Sequence, residues 1–305
     1  MGDLYPKYRV AAVQAAPVIL DREASVAKAC RLTAEAGAGG AKLAVFPETW
    51  LPGYPCWLDV APGAAFWDHE PAKEVFARLV ANSVDVPGPA TDALGQAARE
   101  AGCAVAMGIN ERDGRTLYNT IVYIDADGRL LGKHRKLIPT YGERLVWGQG
   151  DGSTLSVFDS AVGRLGGLVC WEHWMPLARH AMHVQGEEIH VAQWPDVHDI
   201  HQVASRHYAF EGRCFVIAVG TPLRRDQLPE MELFRGIEGG PDRLLHTGGS
   251  AIIGPDGNYL AGPMGVEEGI LYADLDFTRI AAEQQTFDSV GHYSRPDVFS
   301  VTVRA

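Results

Sequence analysis

The sequence predicts a layered α/β protein with mixed parallel and antiparallel sheets, and three observations carry that reading. Short apolar runs alternate with amphipathic stretches, the rhythm of strand-helix-strand units with parallel strands. Asp113-Gly114, Asp127-Gly128 and Asp256-Gly257 separate apolar runs, and Asp-Gly between such runs marks tight turns and antiparallel neighbours. No internal repeat, low-complexity block or Pro/Ser-rich linker breaks the 305 residues, so a single domain over 1–305 is the economical organisation.

The elements follow in order. Tyr8 to Ala15 reads as a first strand, a helix runs over about Asp21 to Ala36, and a strand follows at Lys42 to Phe46. Helical patterns recur over Ala72 to Asn82 and Ala90 to Ala101, the second with Thr91 as its cap and Gly102 as its stop. Val105–Gly108, Thr120–Ile124 and Leu130–Gly132 then read as adjacent strands. Strand and helix alternate again over Arg164–Val169, Pro176–Gln185, Ile189–Gln193, His198–Glu211 and Cys214–Val219. Two late strands, Ala251–Ile253 and Tyr259–Leu260, flank the last Asp-Gly.

Composition narrows the function. With 47% apolar and 21% charged residues the chain is an ordinary globular sequence, and a net charge of −11 disfavours nucleic acid or an anionic membrane as partner. The start of the chain lacks the basic, apolar and small-residue order of a secretion signal, and no run approaches the ~20 apolar residues that span a bilayer. A cytoplasmic location is expected. The five cysteines, Cys30, Cys56, Cys103, Cys170 and Cys214, are odd in number and widely spaced, without a CxxC pair. That spacing fits free thiols in a reducing compartment and no metal site.

The chemistry concentrates at Cys170, which closes the apolar run Gly166-Gly167-Leu168-Val169. A lone cysteine is more often a small buried hydrophobe than a nucleophile, but the glycines before it suit close backbone packing around a site. Met175-Pro176-Leu177-Ala178-Arg179 looks like a helix opening just beyond, and a cation or helix N-terminus favours the thiolate. Glu48 follows Phe46-Pro47 at a strand end; beside Phe46 and Trp50, desolvation would raise its pKa toward that of a useful general base. Lys136, in His134-Arg135-Lys136, offers a cation, though a basic run alone reads as a solvated turn. His173 is a rival base, yet residues three apart at a strand-to-helix turn need not face each other. His180/His183 and His198/His201 lack a third zinc ligand at the right spacing and read as surface or interface residues. Gly148 to Ser153 lacks the ending of a phosphate loop and reads as a turn.

Three blocks carry a family resemblance: Phe46-Pro47-Glu48-Thr49-Trp50-Leu51-Pro52-Gly53-Tyr54-Pro55, His134-Arg135-Lys136-Leu137-Ile138-Pro139-Thr140, and Cys170-Trp171-Glu172-His173-Trp174-Met175-Pro176-Leu177-Ala178-Arg179. Segments at 147–153, 189–195, 247–250 and 291–297 extend it over nearly the whole chain. The sequence resembles the nitrilase superfamily, and within it the true nitrilase branch. The resemblance implies a four-layer α-β-β-α sandwich and a Glu-Lys-Cys triad at Glu48, Lys136 and Cys170, with a further active-site glutamate at Glu143. It implies no cofactor and no metal.

The implied substrate is a small-molecule nitrile, converted to carboxylic acid and ammonia by attack of Cys170. Glu48 would be the base, and Lys136 with the backbone N–H after Cys170 would stabilise developing charge. Glu143 would position Lys136 or water. Tyr54, Trp147, Trp171, Trp174, Trp194 and Pro195 lie in or beside the matched blocks and are expected to form a mostly apolar substrate pocket. A homodimer or higher homo-oligomer is expected, with long spirals in question because the sequence ends at Ala305, short of the tail that many relatives carry. An amidase or carbamoylase and a cyanide-degrading enzyme remain open on the same triad, as does a non-catalytic assembly protein. The Trp171-Glu172 pair favours nitriles.

Overall fold

The structure, a computed structural model, describes residues 5–305. Its first sheet contains β1 (Lys7–Gln14), β2 (Ala41–Val45), β3 (Ala104–Asp113), β4 (Thr116–Ile124) and β5 (Leu130–Arg135). Its second contains β6 (Phe158–Ser160), β7 (Gly163–Val169), β8 (Ile189–Gln193) and β9 (Phe215–Val219). The pair β10 (Pro222–Arg224) and β11 (Leu244–Thr247) stands apart, while β12 (Ala251–Ile253) and β13 (Tyr259–Ala261) extend the second sheet. The last strand, β14 (Gly269–Asp276), returns to the first sheet beside β1.

Both sheets have six strands among the described residues, in the orders β14-β1-β2-β3-β4-β5 and β13-β12-β9-β8-β7-β6. In each, three central strands run parallel and the flanking pairings are antiparallel. This is the mixture that the hairpin signals and the strand-helix alternation together imply.

Side-chain alternation builds the layers. Along β1, Val10 and Ala12 face the second sheet, in one core with Leu165, Leu168, Val191 and Val216, whereas Ala11 and Val13 face the opposite way. There they meet α1 (Arg22–Ala38) through Val26, Ala29 and Leu32, and α4 (Pro89–Ala101) through Leu94 and Ala98. The second sheet is covered by α5 (Pro176–His183) and α6 (Asp199–Gly212), through Ala178, Met182, Ala204 and Tyr208. The sandwich is therefore α-β-β-α. The helices α2 (Trp57–Val60), α3 (Glu70–Asn82) and α7 (Glu232–Arg235) close a third apolar cluster beside it, and α8 (Thr278–Gln284) follows β14.

The helix boundaries have local causes. Asp21 caps α1 by accepting from the Ala24 N–H at 3.0 Å. In α4 the sequence expectation is corrected: Gly88 is the cap, and Thr91 lies three residues in, with its Oγ1 accepting from the Gly88 N–H at 2.9 Å. Gly102 ends α4 at a left-handed φ of 56°, a conformation that glycine adopts without steric cost.

One glycine ties the fold to the chemistry. Gly108 on β3 lies against the Pro47 carbonyl oxygen and the Thr49 nitrogen, where a Cβ would collide with both. The loop carrying Glu48 is stitched to β3 just beyond, through Leu51 N–H to Gly108 O at 3.0 Å and Asn110 N–H to Leu51 O at 2.7 Å. Gly108→Ala is therefore expected to destabilise the protein by about 1–3 kcal/mol, as overpacking does in a dense core. A thermal melt should read this as a midpoint several degrees lower, and an unchanged midpoint would show that the Glu48 loop has slack.

Candidate active site

Four strand ends converge on one buried point. Glu48 follows β2, Lys136 follows β5, Cys170 follows β7 and Trp194 follows β8. β5 is antiparallel to β4, which is antiparallel to β3, so β5 runs in the same sense as β2 and its end reaches the same edge of the sheet. Loops at strand ends are where a rigid scaffold can hold chemistry.

Lys136 lies between two carboxylates. Its Nζ donates to Glu48 Oε1 at 3.0 Å and to Glu143 Oε2 at 2.7 Å, with all three side chains buried. A carboxylate oxygen of Glu48, one of Glu143 and the Cys170 sulfur all lie within 4.8 Å of one another. Such a set resembles a metal site in its donors, but here the positive charge comes from the Lys136 ammonium. The structure thus brings together Glu48, Lys136, Cys170 and Glu143.

The electrostatics follow from burial. Burial pushes Glu48 up to about 7; Lys136 pulls the other way, Glu143 adds to the rise and the Asn119 hydrogen bond opposes it. Burial also works against the charged form of Lys136, yet the carboxylates of Glu48 and Glu143 around it hold its pKa above the ordinary lysine value. The Cys170 thiol is pushed well above its usual range, by burial first and then by Glu48. A thiol so placed stays protonated at rest and needs a base in reach. The second oxygen of Glu48, Oε2, is buried without a hydrogen-bond partner.

Backbone geometry aims the cysteine. Cys170 leaves the extended strand at φ 54°, so the chain turns sharply into a single 3₁₀ turn, Cys170–Trp174, before Pro176 opens α5. This is a position of strain for a non-glycine residue, of the kind that clusters where function demands it. His173 is no partner of the thiol; its Nδ1 lies 2.6 Å from the backbone carbonyl of Cys170.

Three supporting residues escape a reading by motif alone. Asn119 on β4 donates from Nδ2 to Glu48 Oε1 at 2.6 Å, and its carbonyl accepts from the Lys136 N–H at 2.8 Å. Gly150, in the segment read as a plain turn, donates to the Lys136 carbonyl at 2.9 Å. Glu172 accepts from the N–H groups of Val169 and Leu137, both at 2.7 Å, and lies 3.0 Å from His134 Nε2. One carboxylate therefore joins the loop bearing Lys136 to the turn bearing Cys170. Contacts between loops and strands distant in sequence have no period, so no local signal marks them.

Above the thiol lies a cleft of about 290 Å³. Tyr54, Trp171 and Pro195 line it as expected, with Tyr54 OH donating to Glu143 Oε1 at 2.9 Å. Trp147, Trp174 and Trp194 are not among its lining residues. Trp147 is buried behind Tyr54, ring centroids 5.8 Å apart, and its Nε1 donates to Asn110 Oδ1 at 2.8 Å. Trp194 is sandwiched between His173 and His201, each stacked at 4.6 Å, and Trp174 is partly exposed outside the cleft. Large aromatic rings here back the site more often than they line it. His198, exposed as expected of a surface position, and the partly exposed His201 also line the cleft, with His246, Asp59 and Asp196. Burial lowers the pKa of His246 to about 4, so its ring is neutral.

Comparisons agree with this geometry. The carbon-nitrogen hydrolase family model matches residues 9–285. The chain is 43% identical over 311 residues to the bifunctional nitrilase/nitrile hydratase NIT4A of Nicotiana tabacum, covering 100% of this chain and 88% of that protein. It is 46% identical over 302 residues to an aliphatic nitrilase of Sinorhizobium fredii (strain HH103), covering 97% of this chain and 96% of the relative. In fold it is similar to the crystal structure of a carbon-nitrogen hydrolase from Helicobacter pylori G27, with a TM-score of 0.72 at 20% identity over 96% and 97% of the two chains. Taken with the four strand ends and their buried charges, these matches establish that the chain belongs to the carbon-nitrogen hydrolase family, in its nitrilase branch.

Proposed function

We propose that the protein is a nitrilase, hydrolysing a small organic nitrile to the carboxylic acid and ammonia with Cys170 as nucleophile, Glu48 as general base, and Lys136 and Glu143 as their electrostatic frame. One observation carries the reading. A buried thiol, too basic to ionise alone, lies beside a carboxylate whose Oε2 has no hydrogen-bond partner, under a cleft that admits a small molecule.

Each step balances on these groups. Glu48 takes the thiol proton as sulfur attacks the nitrile carbon, and returns it to nitrogen to give a thioimidate. Water, deprotonated by Glu48, adds to the imine carbon while nitrogen gains a proton, giving a tetrahedral intermediate that bears hydroxyl and amine. Transfer of the hydroxyl proton to the amine expels ammonia and leaves a thioester. A second water, activated in the same way, releases the acid and restores the thiol. Lys136 and the Trp171 N–H stabilise the charge that builds in these steps, a role worth roughly 3–4 kcal/mol per well-placed donor. Expulsion of the thiol in place of ammonia from the same intermediate would give the amide. Several relatives are bifunctional nitrilase/nitrile hydratases by name, which supports that branch.

Organisation follows from the same family reading. We treat residues 1–305 as a single domain, and the five free thiols fit a reducing, cytoplasmic setting. No helix among the described residues is long and apolar enough to cross a membrane. Leu177 and Val184 on and just after α5, with Ile200, Val203 and Phe210 on α6, expose apolar side chains at helical spacing, and this face suits pairing of two copies.

Cys170→Ala should abolish ammonia release from every member of a panel of aliphatic, aromatic and arylacetonitriles, and Glu48→Gln should lower kcat by at least about 100-fold while far-UV circular dichroism is unchanged. Parental turnover in either variant would remove that residue from the mechanism. Because Glu48 must be ionised to accept the thiol proton, kcat/KM should fall about tenfold per pH unit below about 7. An acid limb in the ordinary carboxylate range, two or more units lower, would contradict the base assignment. For assembly, sedimentation should give at least twice the 33.0 kDa monomer mass, and Val203→Glu should return the monomer; an unchanged mass would place the interface elsewhere.

A further inference from the structure

Behind the cysteine turn lies a buried polar chain that the reaction above does not use. His173 Nδ1 contacts the Cys170 carbonyl at 2.6 Å, His173 Nε2 contacts His190 Nε2 at 2.9 Å, and His190 Nδ1 contacts Glu187 Oε1 at 2.9 Å. Tyr208 OH donates to Glu187 Oε2 at 2.6 Å. The links come from four elements: the cysteine turn, β8, the segment before it, and α6. Gly166 makes room for the acid, because a Cβ there would strike Glu187 Oε1.

Hydrogen-bond chemistry sets the direction of this chain. A carbonyl only accepts, so His173 Nδ1 carries a proton. Two ring nitrogens facing each other share one proton, and the contact from His190 to Glu187 takes another. Three contacts thus hold three protons, and the His173–His190–Glu187 set is neutral overall in every arrangement. Full burial disfavours separating charge within it. Burial pushes Glu187 up to about 8 and both imidazoles well below their ordinary value, in the same sense. The arrangement that results is a protonated Glu187 donating to His190, His190 donating to His173, and His173 donating to Cys170.

The Cys170 carbonyl matters because of what shares its peptide plane. In a planar trans peptide the C=O and the following N–H point in opposite directions, so holding the Cys170 carbonyl aims the Trp171 N–H. That N–H faces the Cys170 sulfur, where it favours the thiolate. We propose that Glu187 is a positioning residue for the Cys170 reaction: as a neutral acid it directs a hydrogen-bond chain through His190 and His173 that orients the Cys170–Trp171 peptide and its oxyanion-stabilising N–H. The inference rests on Cys170 as the nucleophile.

Glutamine provides the discriminating substitution, since its amide N–H can donate to His190 while its carbonyl accepts from Tyr208. Glu187→Leu should lower kcat by about 10- to 100-fold, up to the loss of one oxyanion donor, with KM within about twofold. Glu187→Gln should recover most of that loss. Unchanged kcat in the leucine variant overturns the proposal, as does a glutamine variant impaired as deeply as leucine, which would mean that a carboxylate charge is required. The parent enzyme gives an independent reading if the leucine variant does not fold. Nitrogen-15 spectra of labelled histidines should show His173 as the neutral Nδ1–H tautomer and His190 as the neutral Nε2–H tautomer at pH 7, and an imidazolium at either overturns the chain. Parental activity in Cys170→Ala would sink the nucleophile assignment while leaving these spectra intact, so the two failures are distinguishable.

Discussion

The burial of a lysine ammonium among two carboxylates and a thiol is the constraint on which the rest depends. Removing one partner from a buried charge pair costs about 3–5 kcal/mol, because the other charge is left without solvent or counter-ion. Lys136 can be dry only because Glu48 and Glu143 hold it, and their carboxylates can be dry only because it holds them. The sandwich serves this arrangement. Strands that end on one edge of each sheet deliver the groups from opposite layers, and Asn119, Gly150 and Glu172 bind the loops between them. The left-handed turn at Cys170 is tolerated because those loops determine its surroundings on every side.

Much of this was legible in the sequence. The alternation of apolar positions places the first strand, Tyr8 to Ala15, within one residue of Lys7–Gln14, and the Asp-Gly turns place the hairpins, because side-chain period and turn chemistry act locally. But β3 runs on to Asp113, β4 begins at Thr116 and β5 reaches Arg135, each three to five residues beyond the apolar run that marks it, since the polar ends of these strands carry no hydrophobic signal. The strand Gly269–Asp276 went unread. It lies at a sheet edge, partly exposed through most of its length, and pairs with residues more than 250 positions away, so neither burial nor period marks it. The capping of α4 shows the same limit at smaller scale. Thr91 is the right residue type near the right place, but the reciprocal bond with Gly88 moves the start of the helix upstream.

The site divides along similar lines. Glu48, Lys136 and Cys170 are legible because each closes a strand within a distinctive block. The cleft is less so. Aromatic residues beside a motif reveal bulk but not direction, and of four tryptophans expected at the substrate only Trp171 lies in the wall. Of the histidines at HxxH spacing, His198 is exposed as expected while His183 is buried, because a helix face can be exposed or turned inward with the same spacing. Only the packing of α6 against the loop after β8 decides which, and it gives His198 and His201 to the cleft.

The run His134-Arg135-Lys136 illustrates how little net charge says about such a site. Its members face three different acidic groupings: His134 meets Glu172, Arg135 meets Glu111 and Asp113, and Lys136 meets Glu48 and Glu143. Strand alternation sends Arg135 to the side opposite its two neighbours. Exchanging Arg135 and Lys136 would leave composition, charge and hydropathy untouched, yet it would place a forked guanidinium where a point charge fits and a point charge where a bidentate grip is needed. In this protein the order of three adjacent basic residue types is an address rather than a surface property, and two chains of identical content could differ entirely in whether they work.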